Sequence, residues 1–258
     1  MAKKERIDLL LTEKGFVESR SMAQRIVMAG EVRVDGQVVT KPSTKVERGA
    51  VIEVLQRPPY VSRGGEKLAA ALQVFPVQVR NCVCADVGAS TGGFTDCLLQ
   101  AGAAKVYAID VGHGILHWKL RQDNRVVVME RTNARLLEAL PEQVDMITVD
   151  ASFISLRLLL PLFRTWMHDE GHMIALIKPQ FEAGREHVGH GGVIRKPGVH
   201  REVLTAILHA ALEDGFTPRG LIQSPLKGPK GNIEFLMWCD LVPGDVNIQA
   251  LIDPLFDE

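Results

Sequence analysis

The chain is poor in cysteine. Its four residues, Cys82, Cys84, Cys97 and Cys239, show no C-x-x-C spacing and no clustering with histidine. That excludes a disulfide framework and a zinc site, and no metal is expected. The thiols read as reduced core residues of a cytoplasmic protein. Long apolar runs are lacking too: near the N-terminus only Leu9 to Leu11 are contiguous, too few for a signal peptide, and "SLRLLLPLFRTWM" is interrupted by Arg157, Pro161 and Arg164. Nothing here is expected to span a membrane. A net charge of −1 argues for no partner, but the charge is uneven. Residues 1–57 hold eleven Lys/Arg against eight Asp/Glu, a net of +3, which leaves −4 for the rest. This mild basic bias at one end suggests a polyanion contact.

Residues 1–57 read as a separate unit, with 58–65 as a linker and 66–258 as a second domain. "RIDLLLTEKG" places Ile7, Leu10 and Leu11 on one helix face and stops at Gly15. "SRSMAQRIVMAG" repeats the pattern, with Ser19 or Ser21 as N-cap, Met22, Ile26 and Val27 or Met28 inward, and Gly30 as terminator. Asp35-Gly36 between alternating valines signals a tight hairpin, and "AVIEVL" supplies another strand. Arg6, Arg20, Arg25, Arg33 and Lys41 stay outside the apolar positions. The pattern "RIDLLL..KG...SR..A...I..G.V.VDG" resembles an S4-type domain, and the resemblance implies binding of folded RNA through the two-helix face. Arg6, Arg20, Arg25 and Lys41, with Arg63 in the linker, are the candidate RNA contacts.

From residue 80 strands and helices alternate, and the strands are continuously apolar, which predicts a parallel sheet covered on both faces. The end differs: "FTPRGLIQS" and "NIEFLMWCDL" are separated by a loop too short for a crossover, so these last strands are expected to be antiparallel neighbours. Before them, "DVGASTGG" lies between a strand and a helix, with Asp110 22 positions after Gly88. Such a loop suits either a dinucleotide or another adenosine cofactor. Ser90 at the middle glycine position and the terminal antiparallel pair make the chain similar to the class I S-adenosylmethionine (SAM) methyltransferases, with a Rossmann-like, mostly parallel seven-stranded α/β sheet. The resemblance implies that Asp86, Gly88, Ser90, Thr91, Gly92, Gly93 and Phe94 line the methionine part of SAM. It places Asp110 at the ribose, and Thr132 and Asn133 near the adenine. Asn133 is equally explained as a helix N-cap.

Ligands of open α/β sheets bind beyond the carboxyl ends of the strands, which directs attention to Asp150, Lys178 and Glu234 at the ends of the fourth, fifth and last strands. A helix from Gly65 to Phe75, with Leu68, Leu72 and Phe75 inward, brings Lys67 to the same rim. Lys67, Asp150, Lys178 and Glu234 resemble, one by one, the catalytic tetrad of FtsJ-like ribose 2′-O-methyltransferases. A 2′-hydroxyl is a very weak acid, so methyl transfer needs in-line placement and removal of a proton. The resemblance makes Lys178 the proton acceptor and lets Asp150 and Glu234 orient the ammonium groups.

Together with "SRGGEKL", "ERTNAR", "DASFISL", "IKPQFE" and "GGV", these features resemble the TlyA family over nearly the whole chain. Its members are ribosomal RNA cytidine 2′-O-methyltransferases, often labelled hemolysins. The resemblance implies SAM as cofactor and ribosomal RNA, within ribosomal subunits, as partner, the large subunit first and the small one second. A membrane-active toxin and a non-catalytic RNA-binding or assembly factor are the alternatives. The glycine-rich loop "EAGREHVGHGGVIRKPG", with His187 and His190, reads as a lid without metal.

Overall fold

The structure, a computed structural model, describes residues 4–55, 58–184, 187, 189 and 191–256. His190 of the expected lid and Arg57 at the expected domain boundary lie outside the described residues. The chain divides into two compact units, Met1–Pro58 and Pro59–Glu258.

The first unit runs β1 (Lys4–Arg6), α1 (Ile7–Glu13), α2 (Arg20–Met28), β2 (Val32–Val34), β3 (Gln37–Val39), β4 (Lys45–Glu47) and β5 (Ile52–Val54). Asp35 and Gly36, at φ 49° and 79°, turn β2 back onto β3. Ser19 is the N-cap of α2 and accepts from Met22 N. Ile7, Leu10, Leu11, Ala23, Ile26, Val27 and Val32 form the core. Met22 does not point inward as expected but is exposed; the core position one step along the helix goes to the smaller Ala23. The short pairing of β1 with β4 was not anticipated, because "KER" has no apolar alternation; it is held by backbone ladder bonds and by the ion pair of Glu5 with Arg48 (3.1 Å).

The second unit continues with α3 (Gly64–Val74), β6 (Val83–Val87), α4 (Gly93–Gln100), β7 (Lys105–Ile109), α5 (Trp118–Arg121), β8 (Val126–Met129), β9 (Val144–Val149), α6 (Leu160–Trp166), β10 (Met167–Ile177), α7 (Pro179–Glu182), α8 (Pro197–Glu213), β11 (Thr217–Gln223), β12 (Phe235–Asp240) and α9 (Ile248–Ile252). Its seven-stranded sheet has the order β11-β12-β10-β9-β6-β7-β8. Neighbours from β10 to β8 are parallel, whereas β12 is antiparallel to both β10 and β11, so the last strand is inserted between them. One face is buried by α3 and α4 through Leu68, Phe94 and Leu98. The other is buried by α6, α8 and α9 through Phe163, Leu204 and Ile252. Among the described residues no helix is long and apolar enough to cross a membrane.

Strand order reverses on either side of β6, with β7 to one side and β9 to the other. Such a switch point opens a crevice at the carboxyl ends of the strands. Residues 59–61, expected as linker, are fastened to α4: Val61 N donates to Asp96 Oδ2 (2.9 Å) and Gln100 Nε2 donates to Pro59 O (2.9 Å).

Candidate active site

The loop after β6 is built by backbone geometry that few side chains tolerate. Gly88 has φ 83°, and a Cβ there would lie 2.8 Å from the carbonyl oxygen of Asp150 after β9. Glycine is therefore required where the two central strands meet. Ser90 follows at φ 50° and Gly92 at φ 95°, and α4 begins at Gly93. A Cβ on Gly93 would fall 2.8 Å from Gly65 N, so the starts of α4 and α3 also pack backbone to backbone. Asp110, just past β7, braces this loop, its carboxylate oxygens accepting from Ser90 N (2.8 Å) and Gly112 N (2.7 Å). Each oxygen keeps a lone pair for a further donor.

Two adjoining cavities lie along the crevice and share Gly88, Ser90 and Asp150. One, of about 490 Å³, has Asp110, Thr132 and Asn133 as polar walls and Ile109, Ile115, Phe153 and Leu159 as apolar ones. Thr132 Oγ1 donates to Glu130 O, and Asn133 Oδ1 accepts from Arg135 N as the N-cap of the 3₁₀ turn Ala134–Leu136. The second, of about 460 Å³, is lined by Arg63, Lys67, Thr91, Gly93, Phe94, Asp150 and Lys227. Asp86 lines neither: it is fully buried, its oxygens accept from Thr95 Oγ1 (2.6 Å) and Thr148 Oγ1 (3.2 Å), and burial pushes its carboxyl up to about 7.

Four candidate residues form two ion pairs at this rim. Lys67 Nζ lies 2.5 Å from Glu234 Oε2, and both side chains are buried. Lys178 Nζ lies 2.6 Å from Asp150 Oδ1 and also donates to Asp150 O (3.2 Å) and Ser152 Oγ (2.8 Å). Gln180 Nε2 donates to Glu234 Oε1 at 3.5 Å, connecting the segment after β10 to the first pair. Lys67 and Asp150 line a common cavity; Lys178 and Glu234 do not line it. Glu234 does not end its strand as expected but precedes β12, and because β12 runs antiparallel, its beginning lies where the parallel strands end. Helix α3 spans Gly64–Val74, one residue earlier than expected, with Lys67 and Leu68 buried and Leu72 half-buried.

Sequence reasoning missed the loop that presents Asp150. The five-residue segment 178–182 grips it at both ends: Lys178 holds Asp150 and Ser152, and Glu182 accepts from Ser155 Oγ (2.6 Å) and Leu156 N (2.7 Å). Between the grips Phe153 is forced to φ 63°, rare for a bulky residue, and is 90% exposed, its ring 4.9 Å from that of Phe181. Only the spacing of "DASFIS" and "KPQFE" hinted at this, and spacing carries no sign of which side chains meet.

In the first unit Arg6 and Arg20 converge on the buried Asp8, whose carboxyl the Arg6 guanidinium holds far below the usual range. Arg25 and Lys41 are exposed there, and Arg63 belongs to the second unit, at the N-cap of α3. Among the described residues no group of three or more His, Cys, Asp or Glu is placed to hold a metal ion.

Comparison with known proteins agrees with this division. Residues 60–241 match the FtsJ-like methyltransferases and residues 5–52 match the S4 domain. The 16S/23S rRNA (cytidine-2′-O)-methyltransferase TlyA of Mycobacterium tuberculosis is 44% identical over 242 residues, covering 92% of this chain and 90% of its own. A solved structure from Streptococcus thermophilus, provisionally named a hemolysin, is 42% identical with a TM-score of 0.72, covering 99% of this chain and 96% of its own. A S-adenosylmethionine-dependent methyltransferase from Mesorhizobium loti shares only the fold, at 13% identity and a TM-score of 0.51 over 67% of this chain and 97% of its own. The fold is thus shared beyond close relatives, and the chain belongs to the FtsJ-like methyltransferases, in the TlyA-type branch that carries an S4 domain.

Proposed function

We propose that the chain methylates the ribose 2′-hydroxyl of a cytidine in ribosomal RNA, that of the large subunit first, using SAM in the cytoplasm. The observation that carries this reading is the pair of buried lysines beside the glycine loop, each in contact with a carboxylate. A lone buried lysine is expensive; two at one rim, each with its own carboxylate, fit a site that must handle a proton near a cationic cofactor.

The cradle suits SAM on its own geometry. Asp110 keeps lone pairs for two vicinal hydroxyls, Ile115, Phe153 and Leu159 offer faces for a purine, and at Gly88 there is no room for a Cβ. Asp110, Thr132 and Asn133 would hold the adenosine part, and Ser90, Thr91 and Gly93 the methionine part. When bound, SAM supplies an electrophilic methyl group on a positively charged sulfur. In this reading Lys178 takes the proton of the 2′-hydroxyl on the lone pair of its amine, while Asp150, itself a wall of the cavity, and Ser152 keep its nitrogen in place. Glu234 holds Lys67 at the edge of the same cavity, where its ammonium orients the ribose oxygens. Arg6, Arg20, Arg25 and Lys41 contact RNA phosphates, as Arg63 does from the catalytic unit.

Lys178→Ala is expected to bind SAM with near-normal affinity and to lose at least about a thousandfold in transfer. The test incubates the enzyme with tritiated SAM and ribosomal subunits from a strain lacking the gene, then maps the label by mass spectrometry. Label on a base instead of a ribose, or unchanged transfer by the variant, overturns the reading.

A further inference from the structure

The most tightly knit polar cluster of the first unit is not at its surface. Asp8, in the first turn of α1, has no exposed area, yet its carboxylate receives four hydrogen bonds. Arg6 donates from Nε to Oδ1 and from Nη2 to Oδ2, both at 2.9 Å. Arg20 Nε and Gln24 Nε2, from α2, each donate to Oδ2 at 3.1 Å. A carboxylate offers about four lone-pair sites, so Asp8 is saturated and has none left for a ligand. The arginines are not saturated. A guanidinium has about five N–H groups; Arg6 spends two on Asp8 and Arg20 one, and neither has another partner among the described residues. Their side chains remain 38% and 50% exposed.

From this we infer that Asp8 is a positioning residue for RNA binding, a buried anchor that holds Arg6 and Arg20 side by side with their free edges aimed at RNA phosphates. The inference rests on the reading that these arginines contact RNA. An unanchored arginine loses rotamer freedom when it grips a phosphate, whereas one already fixed by its Nε edge loses little. The anchor costs the cluster one charge: two guanidiniums and one carboxylate sum to +1. Charge alone and placement therefore make opposite forecasts for the removal of Asp8. If the arginines act only as charges, losing a nearby anion tightens RNA binding; if Asp8 places them, losing it weakens binding.

The experiment measures binding of the full-length chain to a 23S ribosomal RNA transcript at several salt concentrations, with thermal melting as the fold control. Asp8→Asn is expected to bind about tenfold more weakly. Arg6→Lys and Arg20→Lys, which keep the charge but lack the fork that reaches Asp8 with Nε, are expected to lose as much affinity as the corresponding alanine variants. If Asp8→Asn unfolds the first unit, the two lysine variants decide. Binding by Asp8→Asn as tight as or tighter than wild type, or wild-type binding by the lysine variants, overturns the positioning role. Unchanged binding and an unchanged salt slope in Arg6→Ala and Arg20→Ala would instead remove the RNA reading itself.

Discussion

Asp86 shows how far a residue's chemistry can depart from its place in a motif. It stands at the end of β6 and was read as a cofactor ligand, yet its oxygens face Thr95 and Thr148 in the interior. Burial raises its carboxyl to about 7, against about 3.9 in an unfolded chain. Between those values the folded chain keeps a proton that the unfolded chain has lost, so the contribution of this group is present in full below about pH 4 and declines as pH rises through 7. The loss amounts to a few kcal/mol, roughly 4 at most. Asp86→Asn keeps the shape without the ionisation, and it is expected to flatten the fall in melting temperature between pH 5 and pH 8. An unchanged pH profile in thermal melts would show that Asp86 is not the group responsible. Asp110 behaves otherwise: its place just past β7 was legible from the apolar run before it, whereas its contacts to Ser90 N and Gly112 N were not.

Among elements, the inserted β12 was half legible. A loop too short for a crossover required an antiparallel neighbour for β11, but nothing in "NIEFLMWCDL" specified that the strand would slip between β11 and β10. Asp150 and Lys178 could be named because strand ends are readable from apolar runs, and the set was completed with Lys67 and Glu234 through the resemblance to FtsJ-like enzymes; which lysine meets which carboxylate could not be read, since that depends on loop paths. The loop 150–156 is the clearest case. Its shape comes from Lys178 and Glu182; Glu182 looks like a surface charge in sequence but is half-buried, accepting from Ser155 Oγ and Leu156 N. Glu182→Ala leaves those donors unmet, at a cost of about 1–3 kcal/mol, and frees Phe153 to relax from its strained backbone. Methyl transfer is expected to fall about tenfold or more, and affinity for S-adenosylhomocysteine by less, because the loop walls only one side of the cofactor cavity while Asp110 and the glycine loop form the other. Single-turnover transfer and calorimetric binding separate the two; equal losses in both would mean that Glu182 acts through cofactor binding alone.

At the scale of the molecule, each unit has its own hydrophobic core, one centred on α1 and α2 and one on the two faces of the large sheet. The proposed cofactor cradle lies wholly within the second unit. Saturating S-adenosylhomocysteine is therefore expected to raise the calorimetric transition of that unit by about 5 °C or more and to leave that of the first unit in place. A shift of both together would reveal thermodynamic coupling between them. The two-unit organisation was legible from the change of pattern near Pro58-Pro59, because a unit built of short helices and hairpins and one built of long apolar strands follow different periods.

The Lys67–Glu234 contact joins residues 167 positions apart, and it closes only once β12 has entered the sheet. During synthesis the S4-type unit and most of the parallel sheet leave the ribosome before Glu234 exists. Until then Lys67 lacks the carboxylate that neutralises it, so a chain that stops short of β12 holds the glycine loop but leaves Lys67 without its partner.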